Sequence, residues 1–452
     1  MIMGKLFGTD GIRGVANTYP VTPEMAVNVG RAVATIFRDP DTKSKIVVGK
    51  DTRISGDMLE HAIASGICSM GGDAYLTGNL PTPGIAFTTS SMGANAGIVI
   101  SASHNPYYDN GIKIFNGDGY KLPDEKEAEI ERLILDKRLV SAAESTQDVG
   151  RVFKIDDAGN RYGKFLNKTL SDENYFQGLR VVMDCSNGAT SKIAPAVFTA
   201  LGADVEALSI NPDGKNINDN CGSQHPEVLQ KNVVESGADI GVAFDGDGDR
   251  LIAVDEKGNV ATGDQILAVC AKYMKEKGLL KGNTVITTVM SNMGLGLALK
   301  ELGIQHVSTR VGDRYVLERM ISSGAVLGGE DSGHMIFLNH HTTGDGILAA
   351  IRLIEVMKTA STPLSELCKI MTIFPQALIS VHVQRKPDLN AEPFIQDAIK
   401  SIEASLGTSG RVLVRYSGTR PVCRIMVEGP TVDETKKYCQ QIADIVKDVL
   451  GK

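Results

Sequence analysis

The 452-residue chain has no apolar run long enough to cross a bilayer, no block of Lys and Arg, and no Cys-x-x-Cys pair. Each absence excludes a class of protein. A membrane-spanning helix needs about 20 consecutive apolar residues, so no span is expected. With a net charge of −7 and no basic block, the surface offers a phosphodiester backbone little attraction, and no nucleic-acid or membrane partner is expected. The seven cysteines (Cys68, Cys185, Cys221, Cys270, Cys368, Cys423 and Cys439) are scattered and odd in number. They read as reduced thiols in a cytoplasmic protein rather than as a disulfide framework. Met1-Ile-Met-Gly-Lys-Leu-Phe7 carries no signal-peptide pattern, in keeping with that compartment.

What the chain does have is four polar loops set between apolar strands. In Gly97-Ile-Val-Ile-Ser-Ala-Ser-His-Asn-Pro106 a strand ends in a turn. Pro106 cannot continue a hydrogen-bond ladder, and the residue before it is pushed out of the helical region, so the chain turns where Ser103 and His104 sit. Such a turn displays a hydroxyl beside an imidazole, although serine, histidine and asparagine are also ordinary turn residues. In Asp245-Gly-Asp-Gly-Asp-Arg250, between Ile240–Phe244 and Leu251–Val254, three carboxylates alternate with glycines. Hard oxygen ligands at this spacing suit Mg²⁺ or Mn²⁺, and without a cation they repel one another. An EF-hand would use the same aspartates and Glu256, but Arg250 stands where that loop needs glycine and a hydrophobic strand runs through the rest of it. An aspartyl phosphatase is a stronger rival, with Asp245 as nucleophile, yet it leaves the serine turn unexplained.

The third loop, Gly328-Gly-Glu-Asp-Ser-Gly-His334, sets a carboxylate, a hydroxyl and an imidazole among glycines, a donor and acceptor mixture suited to adjacent sugar hydroxyls. The fourth, Arg415-Tyr-Ser-Gly-Thr-Arg-Pro-Val-Cys-Arg424, has three arginines in ten residues, with hydroxyls and the turn amides around Gly418. Arginine forks and turn amides together make an anion cradle.

The length suggests about three domains, and one pattern echoes along it: strand, polar turn, amphipathic helix closing at glycine, second strand. It appears at Lys45–Val48 with Met58–Met70, at Arg180–Met183 with Ile193–Leu201, and at Thr284–Val289 with Leu295–Leu302. The three echoes predict three related α/β domains. After Ile370 the order changes to a strand over Leu378–Val383, a helix over Pro393–Leu406, a hairpin, and a last helix over Val432–Leu450, the order of a smaller α+β domain that could act as a lid. The expected bounds are 1–155 for domain I with the serine loop, 156–256 for domain II with the aspartate loop, 257–370 for domain III with the Glu330 loop, and 371–452 for domain IV with the arginine loop.

The four loops in this order resemble the α-D-phosphohexomutase superfamily. Phe7-Gly-Thr-Asp-Gly-Ile-Arg-Gly14, Gly49-Lys-Asp-Thr-Arg-Ile-Ser-Gly56, Asp109-Asn-Gly-Ile-Lys113, Met290-Ser-Asn-Met-Gly294 and Val311-Gly-Asp-Arg-Tyr-Val316 make it similar to the phosphoglucosamine mutase branch, essentially end to end. The resemblance implies three mixed-sheet α/β domains and a smaller α+β domain ringed around a central cleft. It implies a phosphate carried on Ser103, and Mg²⁺ bound by Asp245, Asp247, Asp249 and a phosphoserine oxygen. Lys113, His104, Arg13 and Arg250 would be the cationic or proton-handling groups, with Lys113 as general base or as a purely electrostatic partner. Glu330, Ser332 and His334 would read the sugar, and Arg415, Ser417, Gly418, Thr419 and Arg424 would hold the second phosphate. The implied reaction interconverts hexosamine 6- and 1-phosphates through a 1,6-bisphosphate, which serves as intermediate or activator. Alternatives are a phosphomannomutase/phosphoglucomutase or a metal-dependent sugar phosphatase. A homodimer through the N-terminal domain is expected. Two residues depart from the family pattern: Arg420 stands in place of a glutamate, and Asp331 is a carboxylate expected to attract the substrate's ammonium group.

Overall fold

The computed structural model describes residues 6–8, 10–39, 42–136, 139, 149–172, 174–417 and 421–451. By contact the chain divides into two compact units, Met1–Val289 with Gln305–Lys369, and Met290–Ile304 with Ile370–Lys452. Among the described residues, no helix is long and apolar enough to cross a membrane.

The first unit holds three mixed sheets. One contains β1 (Ile12–Val15), β2 (Lys45–Lys50), β3 (Asp73–Asn79), β4 (Ala96–Ile100), β5 (Asp109–Asn116) and β6 (Val152–Lys154), in the order β1-β5-β4-β2-β3-β6. The next contains β7 (Arg180–Asp184), β8 (Asp204–Leu208), β9 (Ile240–Phe244), β10 (Leu251–Asp255) and β11 (Val260–Ala261), in the order β11-β10-β9-β7-β8. The third contains β12 (Thr284–Thr288), β13 (Gln305–Thr309), β14 (Leu327–Gly329) and β15 (Met335–Phe337), in the order β13-β12-β14-β15. The three sheets share one kernel, β5-β4-β2-β3, β10-β9-β7-β8 and β15-β14-β12-β13. In each, three parallel strands are joined by one antiparallel return strand.

The composition of the strands explains the kernel. β4, β9 and β12 are buried along their whole length, as expected of parallel strands covered by helices on both faces. The helices repeat the same logic. Pro23–Ile36 is capped by Thr22, whose hydroxyl accepts the Met25 N–H at 3.3 Å, and it buries Met25, Val29 and Val33 over the first sheet. Gly263–Glu276 starts with a full capping box, Thr262 and Gln265 exchanging backbone and side-chain bonds.

This kernel has one consequence for the site. The link between the last parallel strand and its return strand carries Ser103 in the first sheet, Asp245–Arg250 in the second and Glu330–His334 in the third. All three loops leave the C-terminal ends of parallel strands, where open α/β sheets bind ligands.

The second unit contains β16 (Gln376–His382), β17 (Arg411–Tyr416) and β18 (Val422–Glu428) in the antiparallel order β16-β18-β17, with helices Pro393–Leu406 and Val432–Leu450. Its core joins Val381, Ile395, Ile402, Ile425, Val427, Ile442 and Val446. The third echo differs from its sequence reading in one respect. Its helix, Met293–Glu301, groups with this unit rather than with the third sheet. Polar bonds at its start show why: Asn292 donates to the Phe374 carbonyl at 2.9 Å and accepts the Phe374 N–H at 3.1 Å, while Met293 N–H reaches Glu428 at 3.1 Å.

Candidate active site

The three loops meet inside the first unit. Arg250 and His334 form an isolated bridge, Leu251 N–H donates to the Gly333 carbonyl at 3.0 Å, and Thr82 N–H donates to the Asp247 carbonyl at 2.8 Å. Gly246 brings the aspartate loop against the serine turn. A Cβ there would lie 2.6 Å from the Ser103 carbonyl oxygen, so any other residue would separate the loops.

Ser103 is buried and has a left-handed φ of 54°. Its hydroxyl donates to Asp245 Oδ2 at 2.5 Å and lies 3.3 Å from His104 Nδ1. Asp245, Asp247 and Asp249 are all buried, and one oxygen from each lies within 4.8 Å of the others. Their environments differ. Burial, with Asp249 and Asp247 beside it, holds Asp245 well above the usual carboxylate range. Burial would raise Asp249 too, but Lys113, His334 and Arg250 outweigh it and hold that carboxyl well below. Among the described residues, Asp247 Oδ1 and Asp249 Oδ1 are buried without a hydrogen-bond partner. Two orphaned hard oxygens in a buried carboxylate triplet fit a magnesium ion.

Lys113 Nζ lies 2.8 Å from Asp247, 3.3 Å from Asp10 and 3.5 Å from Asp249. Burial would lower this ammonium, but the three carboxylates override it and raise it well above its ordinary range. Of the two roles expected of Lys113, general base or electrostatic partner, this geometry favours the electrostatic one. At His104, burial, with Arg250 and Arg13 nearby, lowers the imidazole to about 4, which favours the neutral ring and the proton-handling alternative. Arg13 pairs with Asp10 and donates to the Ala102 carbonyl at 3.4 Å, and Arg250 lies 3.8 Å from Asp249.

In the third loop, His334 stands 3.5 Å from both Asp249 and Asp313, and these carboxylates outweigh burial and raise it. Glu330 accepts the Gly312 N–H at 3.2 Å, while burial and Asp313 push its carboxyl up. The Ser332 hydroxyl is buried without a partner among the described residues. Asp331 Oδ1 accepts the Asp264 N–H at 3.3 Å in the first turn of Gly263–Glu276, which gives it a local role at a helix end.

Sequence reasoning assigned no role to Asp10, Lys121, Asp313 or Thr82. Lys121 bridges Asp10, at 2.7 Å, and Asp313, while the Thr82 hydroxyl donates to Asp247 at 2.6 Å. Asp10 and Asp313 lie in the Phe7–Gly14 and Val311–Val316 segments, whose dense charge among glycines was the available signal. Thr82 carried none.

In the second unit, Arg415 and Arg424 are direct cross-strand partners. Like charges placed opposite one another are unfavourable unless an anion lies between or beside them, and burial and Arg424 both lower Arg415. Arg415 Nε is buried without a partner among the described residues, Ser417 is buried, and Lys386 donates to the Ser417 carbonyl at 2.8 Å. Lys386 was also missed. Gly418, Thr419 and Arg420 lie outside the described residues.

Four family models match in chain order: Phosphoglucomutase/phosphomannomutase, alpha/beta/alpha domain I over residues 4–140, domain II over 160–258, domain III over 262–374, and the C-terminal domain over 378–445. The chain is 60% identical over 449 residues to the phosphoglucosamine mutase of Syntrophus aciditrophicus (strain SB), covering 99% of this chain and all of that protein. Its fold matches a phosphoglucomutase/phosphomannomutase family protein from Burkholderia thailandensis with a TM-score of 0.80 at 25% identity, over 99% and 98% of the two chains. It also matches N-acetylphosphoglucosamine mutase of Aspergillus fumigatus, solved in complex with GlcNAc-6P and magnesium, with a TM-score of 0.66 at 17% identity, over 99% and 96%.

Proposed function

The chain belongs to the phosphoglucomutase/phosphomannomutase family, and from that premise we propose that it is a phosphoglucosamine mutase, interconverting glucosamine 6-phosphate and glucosamine 1-phosphate. The observation that carries this reading is the 2.5 Å bond from the Ser103 hydroxyl to Asp245 of the buried aspartate triplet. A phosphate acceptor and a divalent-cation site share one point in space.

Ser103 carries the phosphoryl group on Oγ. In the transfer, the bond from phosphorus to Oγ breaks, a bond to a sugar oxygen forms, and the proton of that sugar hydroxyl passes to Oγ, which is left as the free serine hydroxyl. Asp245, Asp247 and Asp249, with an oxygen of the phosphoserine, would hold Mg²⁺, which would supply Lewis-acid withdrawal of charge from the leaving group. Lys113, Arg13 and Arg250 neutralise the phosphoryl oxygens from fixed positions, which costs no reorganisation during reaction. His104, neutral beside Oγ, and His334, raised by its place between Asp249 and Asp313, are the proton-handling pair. Glu330, Ser332 and His334 orient the sugar, and Arg415, Ser417 and Arg424, with Gly418 and Thr419, hold the phosphate that is not being transferred. The resulting 1,6-bisphosphate turns and returns its other phosphate to Ser103, so the net change is an isomerisation.

Intact-mass measurement of the purified protein tests this directly. One phosphate is expected on the wild type and none on Ser103→Ala, together with turnover of glucosamine 1-phosphate at a higher kcat/KM than glucose or mannose 1-phosphate. Stoichiometric release of inorganic phosphate would sink the mutase reading in favour of a phosphatase.

A further inference from the structure

Ser103 sits in a backbone conformation that non-glycine residues adopt rarely and at some cost, so something must hold it there. The holding groups come from two different modules. From the first, Arg53 donates through Nη2 to the carbonyls of Ser103 at 2.9 Å and Asn105 at 2.8 Å, and through Nη1 to Pro106. From the second, Asn218 Nδ2 donates to the same two carbonyls, Ser103 at 2.9 Å and Asn105 at 3.1 Å.

The Arg53 arm closes into a ring. Ser103 N–H donates to Ser101 Oγ at 2.9 Å, Ser101 Oγ donates to Asp51 Oδ2 at 2.6 Å, and Asp51 Oδ2 accepts Arg53 Nε at 2.9 Å. Both ends of the Ser103 residue are therefore tied, and the Arg53 and Asp51 side chains are fully buried. The Asn218 arm is braced as tightly. Asn218 is itself left-handed, with φ 58°, and its N–H donates to the Ser186 carbonyl at 2.9 Å. The aspartate loop closes over both, since a Cβ on Gly246 would meet the Ser103 carbonyl at 2.6 Å and Asn218 Nδ2 at 2.8 Å.

We propose that Asn218 is a positioning residue for phosphoryl transfer: with Arg53 it clamps the carbonyls of Ser103 and Asn105, and so fixes the Ser103 hydroxyl over the aspartate triplet. The inference rests on the mutase reading above. Asn218 touches neither the reacting oxygen nor a carboxylate of the triplet. Its effect passes through the backbone, so it governs the rate of transfer and leaves sugar binding alone. A displacement of about 1 Å at a reacting atom can cost about a hundredfold in rate.

Asn218→Gly tests this cleanly, because glycine keeps the left-handed backbone without strain and removes only the amide. The probes are glucosamine 6-phosphate as acceptor and glucose 1,6-bisphosphate to load the serine. Expected results are a fall of about ten- to a hundredfold in the single-turnover loss of phosphoserine, read by intact mass, with KM unchanged within about twofold and the melting temperature preserved. The ³¹P resonance of the phosphoserine should broaden or split as the turn loosens. Asn218→Asp is the second variant. It is isosteric but sets a carboxylate against two carbonyl oxygens, and it should lose transfer at least as severely. A wild-type transfer rate in either folded variant overturns the clamp. Failure of the wild type itself to interconvert the two hexosamine phosphates would overturn the mutase reading instead.

Discussion

Lys113 decides what kind of chemistry a single side chain contributes at the centre of the site. An amine surrounded at 2.8 to 3.5 Å by Asp247, Asp10 and Asp249 cannot give up its proton near neutrality. Its charge is the useful property. Lys113→Met should lower kcat by about a hundred- to a thousandfold, the scale of losing one preorganised charge partner, while the pH–rate profile of the wild type shows no Lys113 limb between pH 6 and about 9. A basic limb in that range that vanishes in Lys113→Met would restore Lys113 as a base. The motifs made this residue legible as part of the site, and likewise Ser103, the aspartate triplet and His334, because their chemistry needs particular residue types in a loop. The sign of the Lys113 and His104 charges was not legible, since it depends on Asp10, Arg13 and Arg250, which reach the point from distant parts of the chain. Thr82 and Asn218 were silent for the same reason: one threonine or asparagine in a loop looks like any other until the fold brings it beside Asp247 or Ser103.

At the scale of elements, the strands and crossover helices were readable from continuous apolar runs and glycine stops, and Pro393–Leu406 and Val432–Leu450 have the bounds their periodicity suggests. What periodicity cannot show is which element an end belongs to. The Met293–Glu301 helix joins the tail through Asn292 and Glu428, polar contacts that leave no trace in a hydrophobic pattern. The segment after β15 gives an element-scale prediction. His341 is buried, its Nδ1 accepts the Thr342 N–H at 2.8 Å, and its Nε2 therefore donates to the Pro83 carbonyl at 3.0 Å, tying the third sheet to the helix Thr82–Ser91 of the first module. The bond at Nδ1 needs the neutral ring, and burial, outweighing the Pro83 bond, lowers its pKa from 6.5 to about 4. The unfolded chain then binds more protons between those values. The stabilisation from the neutral ring is complete above pH 6.5 and is lost as pH falls toward 4, to a total of roughly 3 kcal/mol. Denaturant midpoints of the wild type should fall more steeply between pH 7 and 5 than those of His341→Gln; parallel slopes would show that this histidine does not titrate with folding.

For the whole molecule, the aspartate triplet sets function against stability. Burial and two neighbouring carboxylates raise Asp245, so its ionised form is disfavoured by the fold. A carboxyl raised in the folded state stabilises only below its unfolded pKa and opposes folding at neutrality. Without a dication, therefore, Asp245→Asn should make the metal-free protein more stable than wild type, because it removes the charge and keeps the shape. With Mg²⁺ the order reverses. Binding to the folded state alone adds RT ln(1 + [Mg²⁺]/Kd), about 2.7 kcal/mol at a hundredfold excess over Kd, to the wild type, and little or nothing to the variant. Residues of the triplet and the partners they bond among the described residues lie in the unit Met1–Val289 with Gln305–Lys369, so the shift should appear in the melting of that unit when calorimetry is run with EDTA and then with Mg²⁺. A variant that melts below wild type in EDTA, or that gains as much from Mg²⁺ as wild type does, would mean that Asp245 is neither the strained carboxylate nor a ligand. The expected crossing, more stable empty and less stable loaded, is the signature of a residue kept for catalysis at the expense of the fold.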